Sequence, residues 1–126
     1  MVIFTPDHTR ALVVLCLFVL MDFISGLLKA IGTGSFESSK MRTGLFHKLG
    51  ELLAWFFCLA CDLTLPQFQI TLPFKLVNAV TVYIVLMESG SIIENVGVLN
   101  PAIGKYLTGV FENVKKPEED EDDTAE

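Results

Sequence analysis

Three stretches of this chain are apolar almost without interruption, and each carries one carboxylate: Asp22, Asp62 and Glu88. Residues 11–28, ALVVLCLFVLMDFISGLL, hold Asp22 as their one formal charge. At about 1.5 Å per residue, with flanks counted, this stretch matches a hydrocarbon core of roughly 30 Å and predicts a helix over about 9–31. Residues 45–65 predict a second helix. Its most apolar part, 52–61, is short and bracketed by Lys48, Glu51 and Asp62, so an interfacial or re-entrant helix is the alternative. A third helix is predicted over about 74–93. Between the segments lie a Gly/Ser/Thr-rich connector at 32–44 and an uncharged turn at 66–73. Pro101 can open a further helix. Within 101–116, Ile103, Leu107, Val110 and Phe111 share one face, which predicts an amphipathic surface helix.

The expected class is therefore an all-α integral membrane protein. It has three transmembrane helices, a short C-terminal amphipathic helix and a disordered acidic tail, with 1–116 as the membrane domain and 117–126 as the tail. A signal peptide competes for the first segment, because 11–21 has the length of its apolar region. Against it, Asp7 sits beside Arg10, no A-x-A-like site follows, and the apolar character resumes after Asp22.

Charge changes the picture in two ways. Seven of the fifteen acids lie in 118–126, so the formal charge of -6 belongs to a tail and the body is nearly neutral. Such a tail should stay solvated and disordered. No basic arm points to nucleic acid. Lys29, Lys40, Arg42 and Lys48 flank the first connector, and Lys105, Lys115 and Lys116 follow the third segment, whereas the 66–73 turn has no basic residue. The positive-inside rule then places that connector and the C-terminus in the cytoplasm and the N-terminus outside.

Helical spacing turns single acids into stripes. Asp22, Ser25, Gly26 and Lys29 fall on one face, as do Glu51, Trp55, Cys58 and Asp62, and as do Lys75, Asn78, Thr81, Val85 and Glu88. Ionisable residues in a span usually face a bundle interior or water, and small residues such as Ser25 and Gly26 allow close helix approach. One reading is that these seams meet in a homo-oligomer and line a water-filled lesion. The other is that the acids sit near the membrane rims, with Asp22 the deepest, Asp62 at a helix end and Glu88 near the cytoplasmic boundary. Trp55 reads as packing. The pair Cys58-x-x-Cys61 lies in an apolar helix without a second pair, so packing is preferred to redox or metal chemistry. His8 and His47 flank spans without a second ligand at metal-binding spacing and read as headgroup-level residues. No serine elbow, phosphate loop or HExxH motif occurs, so no enzyme, cofactor or metal is expected.

The pattern Asp22-x-x-Ser25-Gly26-x-x-Lys29-Ala30, then Ser38-Ser39-Lys40-x-x-x-Gly44, then Glu88-x-Gly90-Ser91-Ile92-Ile93-Glu94-Asn95-x-Gly97 resembles the toxin-secretion/phage-lysis holin family. The likeness covers roughly 9–107, with Leu99, Pro101 and Lys105 fitting the region after the last span. It implies a phage or prophage holin of the bacterial inner membrane. Such a protein partners the lipid bilayer and itself, and opens lesions that release an endolysin without needing to touch it. The acidic tail departs from the lysine-rich tails frequent in the family. The next methionine after Met1 is Met21, so a two-start timing device is not apparent.

For such a holin, Asp22, Ser25, Gly26, Lys29, Asn78, Thr81 and Glu88 form the expected assembly or pore face. Glu94, Asn95 and Gly97 form the expected structural turn, where Asn95 can cap or turn the chain. The expected trigger is concentration, because polar seams are poorly satisfied in a monomer and association shares their cost. Two rivals remain: a non-pore membrane adaptor that recruits a cytoplasmic partner through the tail, and a small ion- or proton-conducting subunit that uses Asp22 as a relay.

Overall fold

The computed structural model describes residues 6–115; the tail at 117–126 and the last residue of the 101–116 segment lie outside the described residues. Four helices follow one another: α1 Pro6–Gly32, α2 Ser38–Thr64, α3 Leu76–Leu99 and α4 Pro101–Lys115, with a single 3₁₀ turn, Leu65–Phe68, after α2. Among the described residues there is no strand. The first three helices are each long and apolar enough to cross a membrane, α2 together with its 3₁₀ turn included.

Local chemistry sets the ends. Asp7 in the first turn of α1 and Lys29 in its last turn complement the helix dipole. Beyond Gly32 the Gly34 amide donates to the Ile31 carbonyl (3.3 Å) and the Ser35 amide to the Ala30 carbonyl (2.9 Å). This is a Schellman ending, and it needs the left-handed backbone that Gly34 adopts at φ 68°. The connector is shorter than the sequence pattern predicts, 33–37 rather than 32–44, because α2 already begins at Ser38. Gly44 lies within that helix facing open space, where it costs roughly 1 kcal/mol against alanine without stopping the helix. In the connector, the Ser39 hydroxyl (2.9 Å) and then the Lys40 ammonium (3.4 Å) hold the Glu37 carboxyl below the usual carboxylate range.

The third helix is longer than predicted. It runs to Leu99, so Glu94, Asn95 and Gly97 are helical residues and not a turn. No breaker intervenes until Pro101, which disfavours helix at the residue before it. Asn100 is accordingly extended, and its side-chain oxygen accepts from the Ile103 amide (3.3 Å), capping α4. The true turn is Asn100. There α4 packs back on α3 through Gly97 and Gly104; a Cβ on Gly104 would overlap the Gly97 Cα. On α4 the predicted apolar face is split: Leu107 and Phe111 are half-buried, while Ile103 and Val110 are exposed beside Tyr106.

α3 lies against both α1 and α2, whereas α1 and α2 touch only slightly. The molecule is apolar outside, with Leu17, Leu20, Phe46, Leu53, Phe57 and Val82 exposed. Inside it is stratified. An apolar layer of Leu15, Trp55, Leu59, Val77 and Ile84 occupies the end towards the 66–73 turn. Asp22, Ser25, Glu88 and Asn95 are buried towards the connector. Asp62 closes the turn end by a cap supplied across helices: its two oxygens accept from the Leu76 (2.9 Å) and Val77 (2.8 Å) amides, which no α3 side chain caps. His8 is buried at this end, where α1 begins and borders a cleft with Asp62 and Lys75.

Asp62→Ala frees those two amides. It is expected to lower stability by about 1–2 kcal/mol, read as an earlier midpoint when helicity is followed through an SDS titration. Asp62→Asn, which keeps one acceptor, should fall between the alanine variant and wild type.

Candidate functional site

Three helix faces meet at one level. Asp22 stands ten residues before the end of α1 at Gly32, Lys48 ten residues after the start of α2 at Ser38, and Glu88 eleven before the end of α3 at Leu99. Each is thus about 15 Å along its helix from the connector end. Glu88 therefore stands level with Asp22, eleven residues inside the end of the longer α3.

The Lys48 ammonium bridges the Asp22 and Glu88 carboxylates, so one side chain of α2 ties α1 to α3. All three side chains are at least seven-eighths buried. Asp22 also accepts from the Asn95 amide nitrogen (3.2 Å), which donates to the Ser25 hydroxyl as well (3.1 Å), while Ser25 donates to the Asp22 backbone carbonyl (3.0 Å). Gly26 lies beside the pair: a Cβ there would sit 3.5 Å from the Asn95 nitrogen, an ordinary van der Waals contact. Hydrogen-bonded, paired charges are the form in which ionised groups can persist away from water.

Glu51, one turn beyond Lys48, stands beside Glu88 and is left over. Its oxygens are buried and have no hydrogen-bond partner. The His47 Nδ1 is 3.4 Å away, longer than an ordinary hydrogen bond. Two carboxyl groups can share a hydrogen bond only when one carries a proton, so an ionised Glu51 has no donor here. Deeper in the bundle, the Trp55 indole donates to Thr81 (2.9 Å), whose hydroxyl donates to the Val77 carbonyl (2.6 Å). A cleft of about 410 Å³ leads from the connector, with Lys29, Glu37 and Lys40 at its mouth, down to Asp22, Lys48 and Asn95.

Of the residues singled out in the sequence, Asp22, Ser25, Gly26 and Glu88 converge, Thr81 binds Trp55 one layer away, and Lys29 stands at the cleft mouth. Asn78 is exposed and joins none of them. Asn95 belongs to the cluster, with its side chain turned inward from α3. Sequence spacing leaves Lys48 as a flanking charge, because it stands only three residues into a helix predicted from 45, whereas α2 begins at Ser38 and carries it ten residues in. Its signal was present: positions 48, 51, 55, 58 and 62 continue one helical stripe. Among the described residues no group of three His, Cys, Asp or Glu side chains converges as metal ligands do.

Comparison with known families matches residues 2–116 to the bacteriophage holin family. No curated protein and no solved structure matches the chain.

Asn95→Leu leaves Asp22 and Ser25 each short of a partner in a buried site. A loss of about 1–3 kcal/mol is expected, measured as a shift of the SDS midpoint. Asn78→Leu, at an exposed position of the same helix, touches no such network and should leave the midpoint within about 0.5 kcal/mol of wild type.

Proposed function

Because the chain belongs to the bacteriophage holin family, we propose that this multi-pass membrane protein oligomerises in the host cytoplasmic membrane and opens lesions that release an endolysin. The observation that carries this reading is the polar layer sealed inside a bundle whose outer surface is apolar. A lipid-facing bundle with paired charges at its centre can reside quietly in a bilayer, yet it holds the side chains needed to line water once helices part. Asp22, Ser25, Thr81 and Glu88 would line the lesion after opening. Gly26 would form the close helix contact, and Lys29 and Asn78, already accessible, would meet neighbouring copies.

The proposed orientation keeps the N-terminus outside and the C-terminus in the cytoplasm. Lys48 counts as a span residue in this bundle, but Lys29, Lys40 and Arg42 still mark the connector side as internal. Endolysin passes through the lesion and needs no contact with the chain, and no enzymatic activity is proposed. The cleft that reaches Asp22 favours one second reading, a small ion-conducting subunit, in which steady conduction replaces lesion opening.

Expression in bacteria beside a cytoplasmic endolysin separates the two. The holin reading expects intact membrane potential for an interval, then abrupt collapse and lysis; without endolysin, collapse should occur without lysis. Asp22→Asn should shift oligomerisation and onset together. A gradual leak from the start of synthesis, with endolysin retained, would overturn the lesion reading.

A further inference from the structure

At the connector end, Lys48 carries the polar connection between α2 and the rest of the bundle, whereas Trp55 and Asp62 join α2 to α3 nearer the turn. Lys48 joins α2 to α1, two helices that touch only slightly. Glu51 follows it by three positions on the same helix, a spacing at which opposite charges pair within a helix. In the closed bundle Glu51 makes no pair with Lys48; the His47 imidazole stands 3.4 Å from its Oε1, beyond an ordinary hydrogen bond. Its buried oxygens lack a hydrogen-bond partner, while the ammonium is committed to Asp22 and Glu88.

We propose that Lys48 is a two-position latch, closed on Asp22 and Glu88 and open on Glu51, and that this exchange controls when the bundle opens; the proposal rests on the lesion reading above. When α2 moves away, Lys48 and Glu51 travel together, so the ammonium need not leave its partners for nothing. Asp22 keeps Asn95, which stays with α3. Glu88 is the group that loses its partner, and water entering by the connector-side cleft reaches that level of the bundle. The unpartnered Glu51 is therefore a cost of the closed state that opening removes. A bundle with two packings of similar free energy, separated by one charge exchange, switches rather than yields gradually.

The two residues have opposite expected effects. Lys48→Gln removes the latch and favours opening. Glu51→Gln removes the second acceptor and supplies an amide donor to Glu88, which favours closure. Lys48→Arg keeps the cation and should stay near wild type. The chain's one tryptophan, Trp55, is fully buried against Thr81 and reports the α2–α3 contact.

The test uses the full chain in phosphatidylethanolamine/phosphatidylglycerol vesicles, reading acrylamide quenching of Trp55 and the protein-to-lipid ratio at which trapped dye escapes. For Lys48→Gln, quenching should rise and the escape threshold should fall about tenfold, as loss of a buried charge partner implies. For Glu51→Gln, quenching should not exceed wild type and the threshold should rise about twofold, the scale of an intrahelical ion pair. Wild-type quenching in Lys48→Gln, or a Glu51→Gln variant that opens as readily as Lys48→Gln, overturns the latch. If Lys48→Gln fails to form helix, a Glu51→Gln threshold at or below wild type overturns it alone. If quenching separates the variants as expected while no variant releases dye, the latch stands and the lesion reading falls.

Discussion

One ammonium satisfying two carboxylates from two other helices is the constraint on which this fold depends. Removing charges from water is expensive, and a lone carboxylate in hydrocarbon would be untenable. Asp22 and Glu88 can lie level in the bundle because Lys48 enters between them from α2 and Asn95 and Ser25 complete the coordination of Asp22. That requirement sets the register of all three helices. A displacement of one turn, about 5.4 Å, would strand an acid opposite an aliphatic layer. The Asp62 cap on α3 fixes the other end, so the bundle is pinned at two levels with apolar packing between.

This arrangement changes how the trigger is understood. A monomer with poorly satisfied polar seams would be driven to associate by that deficit alone. In the structure the seams face one another within a single chain, and most of their hydrogen-bonding capacity is met. On the proposed lesion reading, accumulation in the membrane would have to be accompanied by giving up this closed bundle. Membrane proteins gain little from apolar contacts between helices, since lipid chains are as apolar as leucine. The polar layer thus supplies much of the specificity that keeps α2 in place, and the same residues are the ones whose release would admit water.

The helical class, the three spans and the inward faces of Asp22, Ser25 and Glu88 were legible because periodicity and composition act locally. Boundaries were less legible. Serine and glycine at 38–44 read as a loop, yet this largely exposed stretch forms the first turns of α2. There the Thr43 hydroxyl donates back to the Ser39 carbonyl, and the small propensity costs do not stop a helix that continues to Thr64. Glu94, Asn95 and Gly97 read as a turn because they are polar or small; Asn95 is polar for the opposite reason, that it reaches across to Asp22 on α1. Lys48 was misplaced as a consequence of the late start assigned to α2. Partners separated by 26 and 40 positions in the chain leave no periodic trace by which one sequence could pair them.

The stratification of the interior also argues for where opening begins. At the turn end, Trp55 is clamped to Thr81 and Asp62 holds the α3 amides, so α2 and α3 are joined by hydrogen bonds above an apolar layer. At the connector end, α1 and α2 are separated by a cleft and joined mainly through Lys48. Parting the connector end disrupts one charged node and exposes groups that water can solvate. Parting the turn end would break several caps and expose tryptophan and aliphatic side chains. On the proposed lesion reading, the easier motion would be a hinge at the turn end that opens towards the connector and turns the Asp22, Lys48 and Glu88 side chains into the widening gap first.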